Sequence, residues 1–203
     1  MTRVLAALPT ALFCVVMFCV VMFCGCASQM TTPERDGPHP NPPTGLDRLP
    51  QPEPRIEPLR VGGPNKPYEA AGRGYAPMTR DEPLREQGLA SWYGHKYHGK
   101  FTSSGEPYDM FALSAAHPVM PIPSYARVLN PANGREVIVR VNDRGPFVPG
   151  RVIDLSYTAA LQLGVLNAVA PVVVERITFD EIRSGRWRRP AQLDDPRAKA
   201  LLP

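Results

Sequence analysis

Val137, Val139 and Val141 alternate with Ile138 and Arg140, and this period of two predicts a half-buried strand. The strand delivers Asn142-Asp143-Arg144 to one end of a sheet, where Gly145-Pro146 stops it. Further strands are predicted over 89–93, 111–116, 125–130, 151–155 and 172–179, with 136–142 as the full extent of the one just described. Breakers separate them at Ser104-Gly-Glu-Pro107, 118–123, Pro131-Ala-Asn-Gly134 and 145–150. Asn133-Gly134, between two alternating runs, is the strongest hairpin signal. One helix is expected between a Ser156 cap and Gly164, with Ala159, Ala160, Leu161 and Leu163 as its formers and apolar face. Six short strands with one or two short helices predict a mainly β fold closed into a barrel over 88–179, because closure removes the edges that so small an open sheet would expose.

The rest of the chain reads differently. Arg3 followed by a mostly apolar run over 4–23 has the charged start and greasy middle of an export signal, and the run is nearly long enough to span a bilayer uncleaved. Phe23-Cys24-Gly25-Cys26 resembles a bacterial lipobox, with Phe23 where leucine is usual. That resemblance implies a signal peptide over 1–25 and lipidation of Cys26. All four cysteines, Cys14, Cys19, Cys24 and Cys26, fall in this segment, so the exported domain is expected to hold together by packing without a disulfide. Ala27 after the cysteine resembles the outer-membrane sorting default, which implies the inner leaflet of the outer membrane, facing the periplasm.

Many of the 25 prolines lie in 26–87, as in Pro38-His-Pro-Asn-Pro-Pro43 and Gln51-Pro-Glu-Pro-Arg55. So little apolar clustering predicts a disordered, extended tether whose sixty-odd residues could reach over about 100 Å. Residues 180–203, with Arg183, Arg186, Arg188 and Arg189 around Trp187, read as a basic, mostly disordered tail, solvated or touching acidic polymers and headgroups. The net charge is +4, and the export signal argues against a nucleic-acid partner. His95, His98 and His117 have no zinc-like spacing and no glycine pattern resembles a phosphate loop, so neither metal nor cofactor is expected.

On residues alone, Asp143 is a strand-end carboxylate suited to catalysis or to a turn, and Glu106 follows a Thr-Ser-Ser-Gly turn. His117 suits a hydrogen bond to a carboxylate or a buried structural role. Trp92, Tyr93 and Tyr108 are sugar platforms or core. Asp154, in the apolar run Val152-Ile-Asp-Leu155, needs a partner, expected to be Arg140 or Arg144 in a structural role.

Gly88-Leu-Ala-Ser-Trp-Tyr-Gly94, His98-Gly99, Thr102-Ser-Ser-Gly-Glu106, Tyr108-Asp109, Ala115-Ala-His117, Asn133-Gly-Arg135, Val139-Arg-Val-Asn-Asp-Arg-Gly-Pro-Phe147 and Gly150-Arg-Val-Ile-Asp-Leu-Ser156 closely resemble, in order, the rare lipoprotein A (RlpA) family. The resemblance implies a double-psi β-barrel, the fold of expansins and MltA-type lytic transglycosylases, acting on peptidoglycan. Some members cut glycan strands stripped of stem peptides, and others bind without detectable cleavage. It also implies Asp143 as catalytic acid/base with Glu106 and His117 in support, and Trp92, Tyr93, Tyr108, Asn142 and Arg144 at the substrate. An acid in that role must hold a proton, so Arg144 is expected to turn away toward backbone or substrate.

Expected partners are glycan strands, the membrane through the lipid anchor, and cell-wall or divisome proteins, with the chain a monomer. Many relatives carry a SPOR domain; none is expected here, nor septal targeting through one. Met120-Pro-Ile-Pro-Ser124 replaces the relatives' Leu-Pro-Phe-Gly-Thr. The competing readings are a non-catalytic, expansin-like peptidoglycan-binding lipoprotein and a structural link between membrane and wall.

Overall fold

The computed structural model describes residues 36–59 and 62–188. The strands are β1 (Tyr68–Ala70), β2 (Arg73–Tyr75), β3 (Arg85–Trp92), β4 (Ser114–Ala116), β5 (Ser124–Asn130), β6 (Arg135–Asp143), β7 (Arg151–Leu155) and β8 (Ala170–Ile177). The helices are α1 (Tyr157–Leu163) and α2 (Phe179–Ser184). Strands β3 to β8 form a closed barrel in the order β3-β7-β4-β6-β5-β8, with β8 closing back onto β3. The pairs β3–β7 and β4–β6 are parallel and the other four antiparallel. All six expected strands are present, with ends shifted by a few residues, and β1–β2 is a separate hairpin.

Alternation places the core. Val137, Val139 and Val141 of β6 are fully buried, as are Ala126 and Val128 opposite them on β5. The turn at Asn133-Gly134 joins these strands, with Gly134 at φ 69°. Ser156 Oγ accepts from Ala159 N at the start of α1, and Gly164 at φ 77° ends it, while Ala159, Ala160 and Leu163 plug into the barrel core.

Two expectations fail at the margins of the barrel. Described residues 36–59 and 62–87 are not a free tether. Asp36 accepts from Gly94 N and Lys96 N, Gln51 Oε1 from Ile138 N, and Asn65 exchanges hydrogen bonds with both Ile122 N and Ile122 O. The segment runs irregularly between short 3-10 turns at Leu46–Arg48 and Gly63–Asn65 and the β1–β2 hairpin, and polar side chains meeting backbone groups of the barrel domain hold it. The tail is likewise ordered as far as Arg188. A capping box of Thr178 and Glu181 starts α2, and Ile182 and Trp187 pack on a second apolar cluster of Tyr125, Ile138 and Ile177 outside the barrel. The signal segment, Cys26 and residues 189–203 lie outside the described residues.

At Gly94 the N-terminal segment packs tightly on the barrel domain. A Cβ there would stand 2.1 Å from Gly37 O and 2.8 Å from the Trp92 ring. Gly94→Ala should therefore cost about 1–3 kcal/mol of stability and expose residues 36–59 to protease, measured by urea unfolding and limited proteolysis.

Candidate active site

The site assembles where β6 ends. Pairing of β6 with β4 slips between Ala115 and Ala116, so that Ala115 opposes Val141 and Ala116 opposes Asp143, leaving Asn142 as an extra residue. Such a bulge bends the strand and re-aims its side chains. Both Asn142 and Asp143 consequently engage the 102–106 loop. Ser103 donates to Asp143 Oδ1 from its amide (2.8 Å) and its hydroxyl (2.7 Å), and Arg144 N adds a third bond at 2.8 Å. Among the described residues no donor reaches Oδ2. Asp143 is half-buried and Ser103 exposed, so this pair is within reach of solvent where β6 ends.

Glu106, at the other end of the same loop, accepts a bidentate pair from Arg140 (2.6 and 3.0 Å) and a bond from Asn142 Nδ2 (3.2 Å). Arg140 and Asn142 lie two apart on β6 and serve it from one face. Arg140 holds the Glu106 carboxyl below the usual carboxylate range, with Asn142 assisting. Glu106 is thus a fixed negative charge and not a proton donor. The same guanidinium also makes two bonds to Glu57 (2.8 and 2.9 Å), whose other donor is the Tyr125 hydroxyl. Arg140 lowers the Glu57 carboxyl too.

Arg144 turns from Asp143 as expected. Its guanidinium donates to Pro64 O, His117 O, Met120 O and Asn65 Oδ1, all uncharged oxygens, at 2.6–3.0 Å. Burial draws its pKa down to about 10, which leaves it charged at neutral pH.

His117 is not at the site surface. Its side chain is 0% exposed; Nδ1 accepts from Val119 N and Met120 N, which puts the ring proton on Nε2, 3.0 Å from Glu86 Oε2. Its backbone serves Asp143, His117 N donating to Asp143 O at 3.0 Å. The expectation of a catalytic His117 is corrected to a structural one, since no substrate atom can touch a sealed ring.

The expected sugar platforms are also largely withdrawn. Tyr108 is 2% exposed, with its hydroxyl on Tyr93 O. Tyr93 stacks on it at 4.0 Å, and its own hydroxyl is buried. Trp92 donates to Leu166 O and packs edge-on against Tyr157. Asn142 is buried against Glu106. The aromatic that does face solvent is Phe101, 79% exposed and two residues before Ser103, with Tyr97 nearby in sequence at 43%. Sequence patterning passes over both because an isolated aromatic in a loop has no period.

Asp154 pairs with neither Arg140 nor Arg144. Its Oδ1 accepts from Ser91 Oγ, which in turn accepts from Arg151 at 3.1 Å. Burial pushes its carboxyl up, with the nearby Asp143 charge adding to the effect. Ala116 is flanked by Asp143 on β6 and Asp154 on β7, which places the two carboxyl-bearing strand positions roughly 10 Å apart, two strand spacings. Gly145, at φ 131°, adopts a backbone conformation that side chains rarely take, and a Cβ there would make only ordinary contact with Asp154 Oδ2, at 3.7 Å.

The closed six-stranded barrel is a double-psi barrel, and it carries an Arg-held glutamate and a loop-held aspartate at one end. Residues 85–174 match the family described as "Lytic transglycolase". The chain is 48% identical over 143 residues to the endolytic peptidoglycan transglycosylase RlpA of Vibrio cholerae, covering 70% of this chain and 54% of that protein. It is 52% identical over 124 residues to the protein of that name from Neisseria meningitidis serogroup A, covering 61% and 52%. With the one from Pseudomonas aeruginosa strain UCBPP-PA14 it shares 53% over 112 residues, covering 55% and 33%. The barrel domain of this chain belongs to the RlpA family. The chain spans about half the length, or less, of these curated relatives. Among solved structures, Streptomyces papain inhibitor is similar at TM-score 0.39 and 23% identity, covering 46% of this chain and 94% of that one.

Two pH dependences follow. Burial lowers the His117 pKa below 6.5, so the unfolded chain takes up this proton first. Stability from the neutral ring is complete above about 6.5 and is lost as pH falls toward the lowered folded value. Urea midpoints should drop on going from pH 7.5 to 5.5. His117→Ala should remove that part of the drop while costing about 3 kcal/mol at pH 7.5, from the cavity and the unpaired backbone amides. Asp154 has the opposite sign: its folded pKa lies above 3.8, so its contribution is present at low pH and declines as pH rises through the raised value. Asp154→Asn should gain stability relative to the parent as pH is raised from 4 to 7, again by urea midpoint.

Proposed function

We propose that this chain is an endolytic lytic transglycosylase that cleaves MurNAc–GlcNAc bonds of peptide-poor peptidoglycan strands and leaves 1,6-anhydro-MurNAc ends. The observation that carries the reading is the held Asp143: three donors fix Oδ1 and leave Oδ2 unclaimed where β6 ends. Oδ2 is therefore the oxygen assigned to proton transfer. Asp143 gives it to the bridging oxygen as the bond from MurNAc C1 breaks and positive charge gathers on the ring. The sugar's own 6-hydroxyl oxygen then bonds to C1 and returns its proton to the Asp143 carboxylate, so no water is consumed. Glu106, kept ionised by Arg140, supplies fixed negative charge for the oxocarbenium-like centre and is pre-oriented to do so. Phe101 offers a flat face to a flanking sugar.

The same proposal places the protein in the cell envelope, with acyl chains on Cys26 anchoring it in the outer membrane and the barrel facing the wall. Its support is the apolar run over 4–23 and the lipobox-like Phe23-Cys24-Gly25-Cys26. In cells the activity serves wall remodelling and cell separation.

The second reading is a binding module in which Asp143 is only an acceptor, and the three donors on its Oδ1 favour it to that extent. Asp143→Asn separates the two. For the enzyme, digestion of peptide-free glycan should release 1,6-anhydro products by mass spectrometry with the parent chain and at least about 10²-fold less with the variant, while glycan binding persists. No product from the parent, with binding equal in both, would support the module.

A further inference from the structure

A cavity of about 380 Å³ lies between the β1–β2 hairpin and the barrel, walled by Lys66, Pro64, Tyr68, Ser103, Arg144 and Phe147. Ser103 is the residue whose amide and hydroxyl hold Asp143, so the cavity and the candidate acid share a wall. Its aromatic side is rigid. Tyr68 stacks on Tyr75 (5.2 Å between centroids, 14° between planes), and Phe147 meets Tyr68 edge-on at 6.0 Å. The Tyr68 hydroxyl donates to Pro118 O at 2.9 Å, tying the hairpin to the barrel.

Arg144 forms part of the floor and already has four acceptors. Lys66 is exposed, and its ammonium makes no hydrogen bond or ion pair among the described residues, its backbone amide alone being engaged, on Gly63 O. A pre-oriented aromatic wall, a free ammonium and a volume in the range of small-ligand pockets together fit a sugar ring that carries a carboxylate.

We propose that this cavity is a glycan subsite that takes one pyranose ring of the strand lying at Asp143, with the lactyl carboxylate of a MurNAc unit directed to Lys66. The inference rests on the peptidoglycan reading above and adds to it that residues 62–75, outside the barrel, form part of the substrate site.

The test uses the full chain in detergent on an Asp143→Asn background, so that binding is read without turnover. Probes are peptide-free glycan strands bearing lactyl carboxylates, and chitin oligosaccharides, which lack them. Tyr68→Ala should weaken binding of both about tenfold, whereas Tyr68→Phe, which keeps the ring and loses the hydroxyl, should bind within about twofold of the parent. Lys66→Glu should weaken the carboxylated strands about tenfold and leave the chitin oligosaccharides unchanged. Parental binding by Tyr68→Ala with its protease pattern intact overturns the subsite. If Tyr68→Ala loosens the hairpin, Lys66→Glu decides alone, and unchanged discrimination between the two probes overturns it. Failure of the Asp143 parent to release product counts against the enzyme and leaves these binding results standing.

Discussion

One guanidinium joins three parts of this molecule that are far apart in the chain. Arg140 projects from the central strand β6, receives Glu106 from the loop that carries Ser103, and receives Glu57 from the N-terminal segment. Each carboxylate is held in a two-point grip that fixes its plane as well as its position. Removing the cation would leave two carboxylates facing a partly buried vacancy, and neither the loop nor the segment would keep its place. The end of the barrel where β6 finishes therefore has its charges set by a strand in the rigid core, which is what a preorganised electrostatic site requires.

The acidic groups around that end are differentiated by surroundings and not by residue type. Glu106 has an arginine and an amide and stays ionised; Asp154 has a hydroxyl and burial and is pushed the other way. Asp143, at the end of β6 and two strands from Asp154, has three donors on one oxygen and, among the described residues, none on the other. His117 follows β4, the strand between them. It is sealed, neutral and engaged through both ring nitrogens, and it shapes the site through backbone atoms that contact Asp143 and Arg144.

The segment ahead of the barrel changes what counts as the domain. The regular structure in its described residues is two short 3-10 turns and the β1–β2 hairpin, yet Asp36, Gln51, Glu57 and Asn65 each find a partner on the barrel, and Tyr68 and Tyr75 build an aromatic wall with Phe147. An extended chain can be ordered by hydrogen bonds made one at a time along a surface, with no apolar run to announce it.

The sequence by itself determined the six strands, the Asn133-Gly134 turn, the Ser156-capped helix and the valine face of β6, because period-two alternation and turn chemistry are local properties. It also picked out Asp143, Glu106 and the turning away of Arg144, through motif order and the opposite directions of neighbouring side chains in an extended chain. Only the tertiary structure decided which of the marked residues reach solvent. Whether His117, Tyr108 and Trp92 line a groove or fill a core depends on what packs over them. The partners of Asp154 and Arg140 come from Ser91, Glu57 and Glu106, dozens of residues away in the chain. Burial and long-range pairing are set by barrel closure, and no local pattern records which distant segment will arrive.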